Sequence, residues 1–145
     1  AKEGARLGKE MQRIISQLEK LVARTARRAP AAVKEVSAKY ELRVQHALDA
    51  AGENDSYDLG RELIALAERA DVQEEIARLE IHIARLRATI KKGGAAGREF
   101  EFILQECHRE ITTLGNKSSD SKLSEMVVAM KLCAQQLKEQ IANVE

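Results

Sequence analysis

The sequence predicts an all-α protein, an elongated antiparallel helical bundle with long, coiled-coil-like helices. Three observations carry that expectation. The 145 residues include one Pro, no Trp and 3% aromatics, while the strong helix formers Ala, Leu, Glu, Lys and Arg are abundant. Apolar residues recur at spacings of three and four, the period of a helix with one buried face. The interruptions are short and polar or glycine-rich, as turns between helices should be.

The first helix is expected from Glu3 to about Ala29, with Leu7, Met11, Ile14, Leu18 and Leu21 forming its stripe. Pro30 lacks an amide donor and suits only a helix start or a break, so a second helix should begin there and run to about Ala50. Its face is thinner: Val33, Val36, Tyr40, Val44 and Leu48. With so few large apolar partners next door, the first stripe is expected to seek another subunit. A loop should follow at Gly52-Glu-Asn-Asp-Ser56, then a short helix from Tyr57 to Arg69.

Asp71 followed by Glu74 reads as an N-cap with a capping box. The helix it opens carries Val72, Ile76, Leu79, Ile83, Leu86 and Ile90, and Gly93-Gly94 should end it. The next helix should run from Ala96 to Leu114, with Phe100, Ile103, Cys107, Ile111 and Leu114 inward and Gly115 as C-cap. After Asn116-Lys-Ser-Ser-Asp120, a last helix should bury Leu123, Met126, Met130, Cys133, Leu137, Ile141 and Val144. Two regions result: a basic helical arm with a short connecting helix over 1–70, and a three-helix region over 71–145. The opening Ala1-Lys-Glu, without an initiator Met, reads as the start of a segment inside a longer polypeptide.

Composition narrows the function. No apolar run approaches 18 residues and no signal-peptide pattern is present, so no membrane partner is expected. Cys107 and Cys133, 26 positions apart, make neither a disulfide framework nor a zinc spacing. The net charge of +1 conceals an uneven distribution. Residues 1–46 carry 11 Lys/Arg against 5 Asp/Glu, residues 47–90 carry 5 against 10, and residues 91–145 carry 8 of each. Either the basic start and acidic middle attract one another when folded, or the basic surface holds a phosphate backbone.

Folding about Gly93-Gly94 sets position i opposite roughly 189 minus i, one helix of an antiparallel pair against the other. This register gathers Glu75, Arg78, His82, Gln105, Glu106, Arg109, Glu110 and Lys117 into one band. Glu106 and Glu110, four apart, share a face and could hold a hard divalent cation, magnesium or manganese, with His82 or His108 nearby. An ordinary salt-bridge network is the alternative. The turn at Gly93–Arg98, with Lys91 and Lys92, and the turn at Lys117 each offer amides and cations to a phosphate.

The segment from Gly93 through Glu106-Cys-His-Arg-Glu110 to Gly115-Asn-Lys117 resembles the C-terminal signature of the YicC/YloC-like endoribonucleases. Asp71-Val-Gln-Glu-Glu-Ile-Ala-Arg-Leu-Glu-Ile-His82 resembles the motif before it, and Leu123–Glu145 the closing helix. The likeness is strong from residue 71 onward, weak over 8–60, and confined to the helical part of the family. It implies a cytoplasmic, metal-dependent endoribonuclease directed at single-stranded RNA and assembled as a hexamer. The positions carried over are Glu75, Arg78, His82, Gly97, Arg98, Gln105, Glu106, Arg109, Glu110, Gly115 and Lys117. His108 and Thr112 stand where the family usually has Asn, and Asn116 where it has Ser.

On that resemblance His82, Glu106, Arg109 and Glu110 would be catalytic, with His82 as general acid or base. Arg78, Arg98, Gln105 and Lys117 would bind RNA. Glu106 and Glu110 would hold Mg2+ or Mn2+, and His108, which departs from the family's Asn, could substitute as a further metal ligand. A metal-free route through the ribose hydroxyl, a non-catalytic oligomerisation and RNA-binding region, and a structural bundle that binds proteins all stay open.

Overall fold

A stripe of apolar side chains on a long helix has to be covered, and here the chain covers its own. The computed structural model describes the backbone of residues 2–51, 56–93 and 96–144, and the side chains of 6–50, 59–93 and 96–143. Of the expected loop at 52–56, residues 52–55 lie outside the described residues, as do Gly94 and the Val144 side chain, while Ser56 already begins the second helix. The elements are α1 (Lys2–Ala51), α2 (Ser56–Ala70), α3 (Gln73–Lys92), α4 (Gly97–Lys117) and α5 (Ser121–Val144). Among the described residues there is no strand.

The first half of α1 closes a four-helix bundle with α3, α4 and α5, lying between α3 and α5 and diagonal to α4. Met11, Ile14, Ile15, Leu18 and Val22 are buried with Leu79, Ile83, Leu86, Ile103, Ile111, Met130 and Leu137. The stripe therefore finds its partner within the chain and not on another subunit, contrary to the expectation from its thin neighbour. Polar contacts fix the antiparallel pairings. The Thr25 hydroxyl lies 3.4 Å from Met126 Sδ on α5. Arg87 of α3 donates to Gln12 at 2.9 Å and to Ser16 at 3.0 Å on α1.

Pro30 does not break the helix; α1 runs through it. A proline inside a helix costs about 3 kcal/mol through a lost hydrogen bond and a clash. Packing on both sides outweighs this, since each fully buried Ile or Leu contributes about 1.5–3 kcal/mol. Ile14, Ile15 and Leu18 are at most 1% exposed, and Ala29 and Ala32 beside the proline are 2% and 4% exposed. Arg28 adds a clamp, reaching Asp120 and Glu35 at 2.7 Å each. Beyond the proline, Val33, Val36, Tyr40, Val44 and Leu48 stay half-buried. There α1 packs with α2, and the Tyr40 hydroxyl donates to Glu62.

Two helix ends differ from expectation. α3 starts one residue later than a cap at Asp71 requires: Val72 is the N-cap, and the Asp71 carboxylate accepts the Gln73 amide at 3.0 Å. Glu74 closes no capping box, because its carboxylate binds Arg78 at 3.0 Å. Gly93, at φ 65°, ends α3 as expected. Gly115, however, does not end α4. The helix continues to Lys117 with Ser118 as C-cap, and glycine serves close approach instead: a Cβ there would lie 3.0 Å from Val127 Cγ1. At the start of α5, Asp120 accepts the Leu123 amide at 3.0 Å while holding Arg28.

Gly115→Val is expected to overpack this α4/α5 contact and lower unfolding free energy by about 1–3 kcal/mol in urea titrations, with partial recovery in Gly115→Val/Val127→Ala. The hydrogen bond from Arg28 pulls Asp120 below its ordinary value of 3.8. Its contribution to stability is therefore present above that value and lost as pH falls through the lowered one. Arg28→Met should be less stable at neutral pH and should lose less stability than the parent chain on acidification to about pH 2, read by circular dichroism.

Candidate active site

The facing sides of α3 and α4 bring together two carboxylates that the core all but encloses. Glu75 is 2% and Glu110 7% exposed. A buried carboxylate needs a cation or donors, since desolvating an unpaired charge is costly. Lys117 meets Glu75 at 2.7 Å and also donates toward the Asp71 carbonyl at 3.5 Å. Arg78 reaches Glu110 at 3.5 Å while binding Glu74 on its own helix. The extra turn of α4 beyond Gly115 is what carries Lys117 to Glu75. These pairs match the antiparallel register expected about Gly93 to within a turn. Glu75 raises the Lys117 ammonium above its ordinary 10.5, so this pair stabilises fully below that value and weakens only as pH climbs through the raised one.

His82 lies one helical turn beyond Arg78 and is half-buried. Its Nδ1 is enclosed and has no hydrogen-bond partner. Buried polar atoms are nearly always satisfied, and an exception needs an explanation. Glu106, one turn before Glu110 on the same side of α4, is half-buried. A pair of carboxylates on successive turns suits a hard divalent ion that keeps some of its waters. Among the described residues no three His, Cys, Asp or Glu side chains converge as a preformed cage.

The rest of the expected band divides. Gln105 and His108 line a different groove, about 490 Å³, between α4 and α5 with Glu101, Lys131 and Lys138. His108 lies two residues from both Glu106 and Glu110, which along a helix sends side chains to nearly opposite sides. The three proposed metal ligands are thus not brought to one face. Arg109 is exposed, as is Arg98 in the first turn of α4. Near Arg98, Lys92 and Glu99 approach to 3.8 Å. Cys107 and Cys133 are buried, and burial pushes the Cys107 thiol up to about 12, which fits core filling and not nucleophilic chemistry.

One element of the site was not visible in the sequence. A cleft of about 780 Å³ opens beside Lys117, bounded by Ala32, Val36, Leu66, Arg69, Asn116 and Ser118. Arg69 comes from α2, so the arm supplies a second cation near Lys117. No spacing along the chain signals this, because 47 positions separate Arg69 from Asn116.

The chain belongs to the YicC-like endoribonucleases, as part of their C-terminal region: the family described as "Endoribonuclease YicC-like, C-terminal" matches residues 25–145. A probable endoribonuclease YicC of Clostridioides difficile (strain 630) is 31% identical over all 145 residues, which span 50% of that relative. A second protein of the same description, from Haemophilus influenzae (strain ATCC 51907 / DSM 11121 / KW20 / Rd), is 42% identical over 85 residues, 59% of this chain and 30% of the relative. The chain thus covers half or less of the length of the curated relatives it matches.

Lys117→Met strands the Glu75 carboxylate in the core and should cost about 1–3 kcal/mol. Adding Glu75→Leu should return much of that loss, because removing both charges is milder than removing one. Thermal unfolding of the two variants checks the order.

Proposed function

We propose that this chain is the helical part of an endoribonuclease that cuts single-stranded RNA at phosphodiester bonds, with the α3/α4 face as its active site. The observation that carries the reading is the unpartnered Nδ1 of His82, set beside cations held in place by Glu75 and Glu110. A histidine not bound into the scaffold is suited to moving a proton in the transition state. Whether the nucleophile is water or the neighbouring ribose hydroxyl, its proton must leave, and His82 would take it on Nε2, since Nδ1 is enclosed.

Lys117 and Arg78 would contact phosphate oxygens, and their buried carboxylates fix where those cations sit before RNA arrives. Arg98 and Arg109, both exposed, would hold flanking phosphates. Glu106 and Glu110 would bind Mg2+ or Mn2+, and when bound that ion supplies charge neutralisation at the scissile phosphate. Gln105 and His108 would meet the strand from the α4/α5 groove. The reading includes a hexameric assembly and a cytoplasmic setting, both taken from the family resemblance. No described helix is long and apolar enough to cross a membrane.

The test uses the full-length protein and end-labelled single- and double-stranded RNA, with Mn2+ or with a chelator. Cleavage of the single strand, lost in the chelator and reduced about a hundredfold or more by His82→Ala and by Glu110→Gln, is the expected result. Cleavage indifferent to the chelator and to Glu110→Gln would remove the metal from the mechanism. RNA binding with no cleavage would leave a non-catalytic RNA-binding region instead.

A further inference from the structure

The basic start of the chain becomes something more definite in the fold. Lys9, Arg13, Lys20, Arg24 and Arg27 are all exposed on α1. At 3.6 residues per turn they fall within a sector of about 60° and extend over about 27 Å. That sector points away from the buried stripe at Ile14, Ile15, Leu18 and Val22. We infer that this ridge is a track for the phosphodiester backbone of single-stranded RNA, distinct from the α3/α4 face.

Of the two carboxylates of this stretch, one meets the ridge only at Arg13 and the other is drawn away from it. Glu10 is engaged by Arg13 alone, and Glu19 is held by Arg87 of α3. Among the described residues, no ion pair joins Lys20, Arg24 or Arg27 to any carboxylate. The acidic middle of the chain therefore does not neutralise the basic start. Its link to the first half of α1 runs the other way, from Arg87 to Glu19. Lys20, Arg24 and Arg27 stand four and three apart, where like charges disfavour a helix. A face serving only solubility mixes both signs. A one-sign ridge instead matches an extended polyanion.

The chemistry also selects the polyanion. Insertion as an amphipathic helix would need the apolar face of α1 to enter lipid, but that face is the core of the bundle, which leaves only surface adsorption to anionic lipid, measured below with vesicles. The ridge carries no aromatic side chain for base stacking, so it would grip phosphates and tolerate sequence. Because α1 lies diagonal to α4, the ridge looks away from the proposed site, and a strand touching both must pass around the bundle.

The inference rests on the RNA-directed reading above, and binding is measured separately from cleavage so that either can fail alone. The full-length protein and its Lys20→Gln/Arg24→Gln/Arg27→Gln variant are titrated in chelator with a fluorescent, unstructured 20-nucleotide RNA across a salt series. Single-strand binding loses about 0.7 of salt slope per phosphate contact, so the variant should lose about 2 of slope and about a hundredfold in affinity near 0.1 M salt. Lys20→Arg/Arg24→Lys/Arg27→Lys should restore both, and Arg61→Gln/Lys122→Gln, which removes exposed charge away from the ridge and the proposed site, should leave the slope unchanged. Cleavage by the triple-Gln variant at saturating RNA should match the parent protein. An unchanged slope in the triple-Gln variant, an equal loss in the Arg61/Lys122 control, or tighter binding to phosphatidylserine vesicles than to RNA would overturn the ridge as an RNA track. A parent protein that binds with the full slope yet never cleaves would keep the ridge and discard the catalytic reading.

Discussion

Ile14, Ile15, Leu18 and Val22 of α1 must be hidden from water, and α3 and α5 are the surfaces that hide them. This burial is the constraint on which the remaining architecture depends. It keeps α1 helical through Pro30, whose local penalty is smaller than the apolar burial on either side of it. It brings Arg28 to Asp120, which in turn caps α5, and it brings Arg87 across to Gln12, Ser16 and Glu19. Without α1, α3 and α5 would each lack their second apolar neighbour, and the antiparallel trio of α3, α4 and α5 would be an open layer.

The candidate site is a by-product of the same packing. Glu75 and Glu110 sit where the α3 and α4 stripes broaden toward each other, and a carboxylate so placed must recruit a cation. Lys117 and Arg78 answer that requirement and are thereby held in one geometry, partly open to solvent. Cations oriented in advance stabilise developing charge better than mobile ones, because they need not reorganise when it appears. His82, with a ring nitrogen that the scaffold leaves unpaired, stands one turn away.

Charge follows a related logic on the opposite side of the bundle. The sequence admitted two readings of a basic beginning and an acidic middle, mutual attraction or a surface for phosphate. The fold distinguishes them by geometry. The acidic middle contributes Glu75 to an ion pair with Lys117 and Glu74 to one with Arg78, and it contributes none to the outward cations of α1 among the described residues. Net charge near zero is thus compatible with a strongly one-sided local field.

Helix type, the stripes of α3, α4 and α5, the stop at Gly93 and the antiparallel register about it were all legible in the sequence. Each depends on neighbours within a few residues, where 3.6-residue periodicity and turn chemistry act directly. The same register foresaw that Glu75 and Arg78 would meet the far half of α4. The passage of α1 through Pro30, the extension of α4 past Gly115, the departure of Gln105 and His108 into a second groove and the arrival of Arg69 beside Lys117 were not legible. These are outcomes of competition between a local preference and a tertiary contact. A proline penalty or a glycine end signal is worth a few kcal/mol at most, and burial of several side chains from distant segments exceeds it. Sequence determined which segments would be helices and which residues carried charge. Only the packed bundle decided which of those charges would be buried together and which would be left facing water.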